Sequence, residues 1–270
     1  MKLCRFQLLE SISSQEGPAG RLANAQTISG VLDDGAVFEI RGDHFGSRER
    51  TSRKWPIDRI KFLPPSVPSK IIGVGRNYHD HIKEFSNPVP KEPVIFFKPP
   101  SAILAPEEAI VLPRISQRVE HEGEIAVVIG RRCFHLGPDE DVKPYVLGYT
   151  ALNDVTARDL QRADLQWDRG KGFDTFCPFG PVLETEHPSP DTRVETLVNG
   201  AKRQSERIAE MIFPIDVIIR WIAQVMTLQP GDVIATGTPG GVGPLVAGDI
   251  VEVSISGIGT LRNPVSGPQD

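Results

Sequence analysis

Apolar positions along this chain come in short bursts, and glycine and proline punctuate them. Val31-Leu32 and Ala36-Val37-Phe38 flank Asp33-Asp34-Gly35, the pattern of two strands around a tight turn. Ile71-Ile72-Gly73-Val74-Gly75 predicts a short buried strand, and Arg76 to Phe85 after it is long enough for two or three helical turns. Glu120 to Ile129 predicts a strand whose second half, Ile125–Ile129, is apolar on both faces and is therefore covered on both. Further on, the pattern predicts a strand over Tyr145–Leu152, a helix over Asn153–Gln166 and, after Pro214, a helix over Ile215–Thr227. Asp232–Ala235 and Ile250–Ile255, among glycine-rich turns, are β again. Phe62-Leu63-Pro64-Pro65-Ser66-Val67-Pro68 predicts a stiff boundary between a small N-terminal region and the main domain, because three prolines fix φ there. Residues 88–113 hold seven prolines and so predict extended segments and loops. The expected fold class is mainly β with a few helices (α+β), not alternating βαβ units.

Composition sharpens this picture by exclusion. With 24 Pro and 25 Gly spread along 270 residues, long helices are disfavoured everywhere, not only at a linker. A formal net charge of −5 leaves no electrostatic footprint for nucleic acid or an anionic membrane surface. No apolar run approaches the roughly 18 residues that a spanning helix needs. The opening MKLCRFQLLE is charged again too soon for a signal-peptide core. Cys4, Cys133 and Cys177 lie far apart without a CxxC pair, which argues against a disulfide framework or a thiolate zinc site and for a cytoplasmic location.

Five segments offer chemistry. In Glu120-His121-Glu122-Gly123-Glu124, strand alternation puts Glu122 and Glu124 on one face, where a hard divalent cation would neutralise them; an exposed strand end with ordinary acids is the plain alternative. If Asp154 opens the next helix, Arg158 and Gln161 share its face, a carboxylate beside groups that bind an anion; an N-cap with a surface ion pair fits equally. His81 and Glu84, three apart on a helix, suit a carboxylate that orients an imidazole toward water, although a solvated polar helix has the same spacing. His79-Asp80-His81 would suit zinc on a strand, but i and i+2 diverge on the helix predicted here. Ala235-Thr236-Gly237-Thr238-Pro239-Gly240-Gly241-Val242-Gly243 can bring backbone N–H groups close to an anion, yet it lacks the GK[ST] of a phosphate loop and reads equally as a turn. Lys171, ahead of Phe173-Asp174-Thr175-Phe176-Cys177-Pro178, could present its ammonium to a developing enolate.

In this order, GRNYHDHIKE, FFKPPSA, EHEGEIAVVIG, NDVTARDLQ, KGFDTFCPFGP and ATGTPGGVG resemble the fumarylacetoacetate hydrolase family across about residues 68–267. The resemblance implies a β-roll-like catalytic domain over 67–270, with 1–66 as a small N-terminal α/β domain. It further implies a Mg²⁺ or Mn²⁺ site on Glu122, Glu124 and Asp154, and usually a homodimer. It assigns substrate contact to Arg158, Gln161, Lys171 and Thr238, and makes His81 and Glu84, on a lid ahead of Asn87-Pro88-Val89-Pro90, the hydrolytic pair, with Lys171 beside them. The implied activity is metal-dependent hydrolysis of a C–C bond in a 2-keto 1,3-dicarbonyl acid such as an acylpyruvate. Oxaloacetate decarboxylation and 2-hydroxyhepta-2,4-diene-1,7-dioate isomerisation would pass through the same type of enolate, so these motifs do not separate the three. A folded but catalytically silent binding or scaffold member is the alternative of a different class. The expected partner is a small keto acid or dicarboxylate, with neither nucleic acid nor membrane involved.

Overall fold

The computed structural model describes residues 1–10, 26–86 and 88–268. Strands dominate, as the patterning predicts. Among the described residues the largest sheet runs, by neighbouring strands, through Arg48–Pro56, Ala36–Gly42, Ile28–Asp33, Lys2–Leu8, Cys177–Glu184, Val146–Asn153, Gly123–Ile129, Val233–Ala235, Ile71–Gly75 and Val94–Lys98. A second sheet orders Ala201–Arg207, Arg193–Val198, Ile250–Ile255, Gly259–Ser266 and Ile110–Val111. A small third one joins Thr156–Ala157, Val119–His121 and Gly243–Pro244.

The predicted hairpin at Asp33–Ala36 is present: Asp34 (φ 45°) and Gly35 (φ 73°) make the two-residue turn between paired strands. Lys2 and Leu3 pair with Glu184 and Leu183, so the large sheet continues across the proline-rich segment at 62–68. Part of the expected 1–66 domain, residues 11–25, lies outside the described residues.

Gly123–Ile129 is buried on both faces, for the reason its pattern states. Ile125, Val127 and Ile129 pack in one cluster with Ile218, Ile219 and Ile222, while Ala126 and Val128 pack in another with Leu152 and Val233. The α-helices that lie wholly within the described residues are α1 (His79–Glu84), α2 (Arg158–Ala163), α3 (Asp168–Lys171) and α4 (Ile215–Val225). Helix α4 buries Ile215, Ile218, Ile219, Ile222 and Ala223, the i, i+3, i+4 spacing of one apolar stripe, and each such side chain contributes about 1.5–3 kcal/mol when fully buried. No helix among the described residues is long and apolar enough to cross a membrane.

Two local expectations are corrected. The helix expected over Asn153–Gln166 is much shorter, and Asp154 does not open it: the preceding strand runs to Asn153, Thr156–Ala157 pairs with Val119–Glu120, and α2 starts only at Arg158. Strand pairing to a distant segment outweighs the local helical pattern here, and β-branched Val155 and Thr156 favour it. Likewise Glu120–Ile129 is not one strand. Val119–His121 belongs to the third sheet, Gly123–Ile129 to the first, and Glu122 sits at the break between them.

Candidate active site

The large sheet brings four strand ends together. Val233–Ala235 runs parallel to Ile71–Gly75, and Gly123–Ile129 runs antiparallel to both Val233–Ala235 and Val146–Asn153. The start of Gly123–Ile129 therefore meets the ends of the other three. At that place lie Glu124, Asp154 just beyond Asn153, the 236–241 loop, and the turn into α1. Asp154 is tied in by its backbone N–H, which donates to the Glu122 carbonyl at 2.8 Å, and the Glu122 N–H donates to Asn153 Oδ1 at 3.0 Å.

This convergence lines a cavity of about 460 Å³ with His81, Glu122, Glu124, Asp154, Arg158, Gln161, Lys171 and Thr238. Eight of the nine residues singled out in the sequence thus share one space. Carboxylate oxygens of Glu122, Glu124 and Asp154 lie within 4.8 Å of one another, all three residues buried. Arg158 and Gln161 are still neighbours, three apart on α2, and Arg158 Nη1 donates to Gln161 Oε1 at 2.5 Å. The ninth, Glu84, points elsewhere. Its Oε2 accepts from the Gly241 N–H at 3.2 Å and stands 3.8 Å from His81 Nδ1, too far for a hydrogen bond. His81 Nδ1 has no partner although it is buried.

The charges are densely cross-linked. Lys171 Nζ donates to Glu122 Oε2 at 2.8 Å and to Asp154 Oδ2. Arg158 Nε donates to Glu120 Oε2 at 2.6 Å and its Nη2 to Glu122 Oε1. Lys98, fully buried, donates to Asp154 Oδ1 at 2.6 Å and to the Val155 carbonyl at 3.2 Å. Burial works against charge on Lys171 and Arg158, but the carboxylates around them overcome it and hold both above their ordinary values. Burial would likewise raise Glu122; Lys171 and Arg158 more than offset it and hold the group well below the usual carboxylate range. Glu124 goes the other way. Burial, then the charges of Asp154 and Glu122, push it well up, and its partner is a backbone donor, Gly237 N–H, at 2.7 Å. Glycine is required at that donor: its φ is +100°, and a Cβ would lie 2.6 Å from Asn77 Cβ.

Four buried carboxylates, Glu120, Glu122, Glu124 and Asp154, therefore face three buried cations, and Glu124 has no ion pair among the described residues. Half-exposed Arg118 also donates to Glu120 Oε1 at 2.5 Å, and three convergent carboxylates, one of them without an ion pair, fit a hard divalent cation, which prefers oxygen donors. The glycine-rich loop does not behave as a phosphate cradle: besides Gly237, Thr238 Oγ1 donates to the Gly123 carbonyl at 2.9 Å and accepts from Gln204 Nε2 at 2.7 Å.

Profile comparison matches residues 70–266 to the fumarylacetoacetate (FAA) hydrolase C-terminal model and residues 1–65 to the Rv2993c-like N-terminal model. The chain belongs to the fumarylacetoacetate hydrolase family. It is 44% identical over 257 residues to Protein Rv2993c of Mycobacterium tuberculosis, covering 91% of this chain and 97% of that one. It is 44% identical over 223 residues to the mitochondrial oxaloacetate tautomerase FAHD2A of Bos taurus, covering 78% of this chain and 71% of that one. The crystal structure of 2-hydroxyhepta-2,4-diene-1,7-dioate isomerase from Mycobacterium marinum superposes with a TM-score of 0.86 at 40% identity, covering all of both chains. Membership of the fumarylacetoacetate hydrolase family agrees with the resemblance carried by the six motifs.

Sequence reasoning did not single out Lys98, Arg76, Arg162 or the aromatic walls Phe85, Phe96 and Trp167. Lys98 had one signal, a lysine closing an apolar run before two prolines. The rest are remote in sequence and meet only through the sheet.

Proposed function

We propose that the protein is an enzyme that binds a 2-oxo acid in this cavity and moves a proton between its keto and enol forms, oxaloacetate being the leading substrate. The observation that carries this reading is the buried Glu122–Glu124–Asp154 cluster, cross-linked by Lys171, with His81 lining the same cavity. Similarity to an oxaloacetate tautomerase and to a dienedioate isomerase supports proton transfer over other outcomes of an enolate.

Glu122, Glu124 and Asp154 would hold Mg²⁺ or Mn²⁺, which, when bound, polarises the keto and carboxylate oxygens of a 2-oxo acid. The remaining work falls to the chain. Lys171, pinned by two carboxylates, keeps a positive charge at the position where the enolate oxygen develops. His81 gives a proton to the enol carbon while the enol O–H proton passes to solvent water, and in the reverse direction His81 takes the proton from carbon as water returns one to oxygen. Phe85, Phe96 and Trp167 wall the cavity and limit water at the enolate.

Hydrolysis of acylpyruvates is the second reading, favoured by the 3.8 Å separation of His81 and Glu84, which a small closure would turn into a water-orienting pair. Both are tested in one panel with Mg²⁺ and Mn²⁺: decay of the ultraviolet absorbance of enol-oxaloacetate, and release of pyruvate from oxaloacetate and acylpyruvates. Tautomerisation is expected to dominate, and His81→Ala to slow it by about 10²–10⁴-fold while binding of oxalate is kept. A protein that accelerates none of these reactions with either metal overturns the reading.

A further inference from the structure

We infer that Arg76 and Arg162 form a second anion clamp at the mouth of the cavity, which reads the distal carboxylate of a 2-oxo dicarboxylate. This rests on the cavity being a 2-oxo acid site. The deeper cations are all committed: Lys98 to Asp154, Lys171 to Glu122 and Asp154, and Arg158 to Glu120, Glu122 and Gln161. Arg76 and Arg162 line the same cavity, and neither pairs with a carboxylate among the described residues. Asp164, which lines the same cavity, is already held by Arg169, at 2.8 and 2.5 Å.

Both guanidinium groups are placed by aromatic rings. Arg76 Cζ lies 5.8 Å from the Trp167 ring centre and Arg162 Cζ 5.6 Å from that of Phe85. Contact with a ring face leaves the N–H edges available for a carboxylate, the use to which arginine's planar fork is suited. The same rings connect the clamp to the reactive end. Phe85 lies 5.0 Å from His81, and Trp167 packs at 5.4 Å on Phe96, which is 4.7 Å from Lys171 Nζ. Arg76 also holds a left-handed backbone, φ +59°, which costs an L-residue and which a glycine would adopt freely. A ligand chelated at the carboxylate cluster and extended past one aromatic ring would then end between two unpaired cations.

The test measures calorimetric binding of 2-oxoglutarate and 2-oxopentanoate to the Mg²⁺-loaded protein, since the two acids differ by a terminal carboxylate in place of a methyl. The wild type is expected to prefer 2-oxoglutarate at least about tenfold. Arg76→Gln and Arg162→Gln should each weaken 2-oxoglutarate by about tenfold or more, leaving 2-oxopentanoate unchanged, the usual worth of a charge-assisted hydrogen bond. Equal binding of both acids by the wild type, or a preference that survives both substitutions, overturns the clamp and leaves the 2-oxo acid reading standing. Binding of neither acid overturns both. Should Arg76→Gln bind neither acid, Arg162→Gln, at an exposed position, carries the same comparison.

Discussion

Lys98 offers the sharpest test of how the site is built. Its ammonium is fully buried, 2.6 Å from Asp154 Oδ1, and Asp154 itself is 1% exposed at its side chain. Lys98→Met keeps the length of the side chain and removes the charge. Asp154 then faces Glu122 and Glu124 with Lys171 as its remaining cation. Breaking a buried ion pair from one side costs about 3–5 kcal/mol, against a total stability of about 5–15 kcal/mol for a typical domain. Urea unfolding of the metal-free variant should show a loss of that size. With saturating Mg²⁺ the gap should narrow, because a cation among the three carboxylates replaces the missing charge and stabilises the folded form in proportion to its binding. The variant should also bind Mg²⁺ at least about tenfold more tightly than the wild type, since unit charges about 5 Å apart repel by about 3 kcal/mol at an effective dielectric of about 20. A loss below about 1 kcal/mol would show that the pair does not constrain the fold. A gap that Mg²⁺ leaves untouched would refute cation binding at the cluster.

Glu124→Gln removes the carboxylate of the cluster that lacks a cation, so the metal-free melting temperature should hold or rise while the Mg²⁺-induced increase disappears; a marked fall without metal would contradict the charge assignment. His44 gives a pH dependence away from the site. It is buried, with Nδ1 3.3 Å from the Pro65 carbonyl and Nε2 unpartnered, and burial holds its ring below the ordinary histidine value. The unfolded chain therefore takes up the proton first, and stability present at neutral pH is lost as the pH falls below about 6.5. His44→Asn should remove up to about 1.4 kcal/mol per pH unit from that slope, and an unchanged slope between about pH 6.5 and 5 would exclude the assignment.

Much of the architecture is local in origin, and there the sequence sufficed. Period-two apolar runs, the Asp-Asp-Gly turn and the apolar stripe of α4 each encode their conformation within a few residues, so the mainly β class and the strand covered on both faces were legible. The candidate site residues were legible only through the six family motifs taken together, because each segment alone also fits an ordinary surface, cap or turn. The reach of each element was not. Thr156–Ala157 is a strand because Val119–Glu120, almost forty residues earlier, offers it hydrogen bonds, and no local pattern records that partner. The partners of the site charges are non-local as well. That Lys98 reaches Asp154, that Gly241 rather than His81 takes the Glu84 carboxylate, and that Arg76 and Arg162 line one cavity follow from the meeting of four strand ends. Sequence sets which groups are present and which way each short segment prefers to fold. Sheet register decides which of those groups are close enough for a Coulomb or hydrogen-bond interaction, whose strength falls away within a few ångströms.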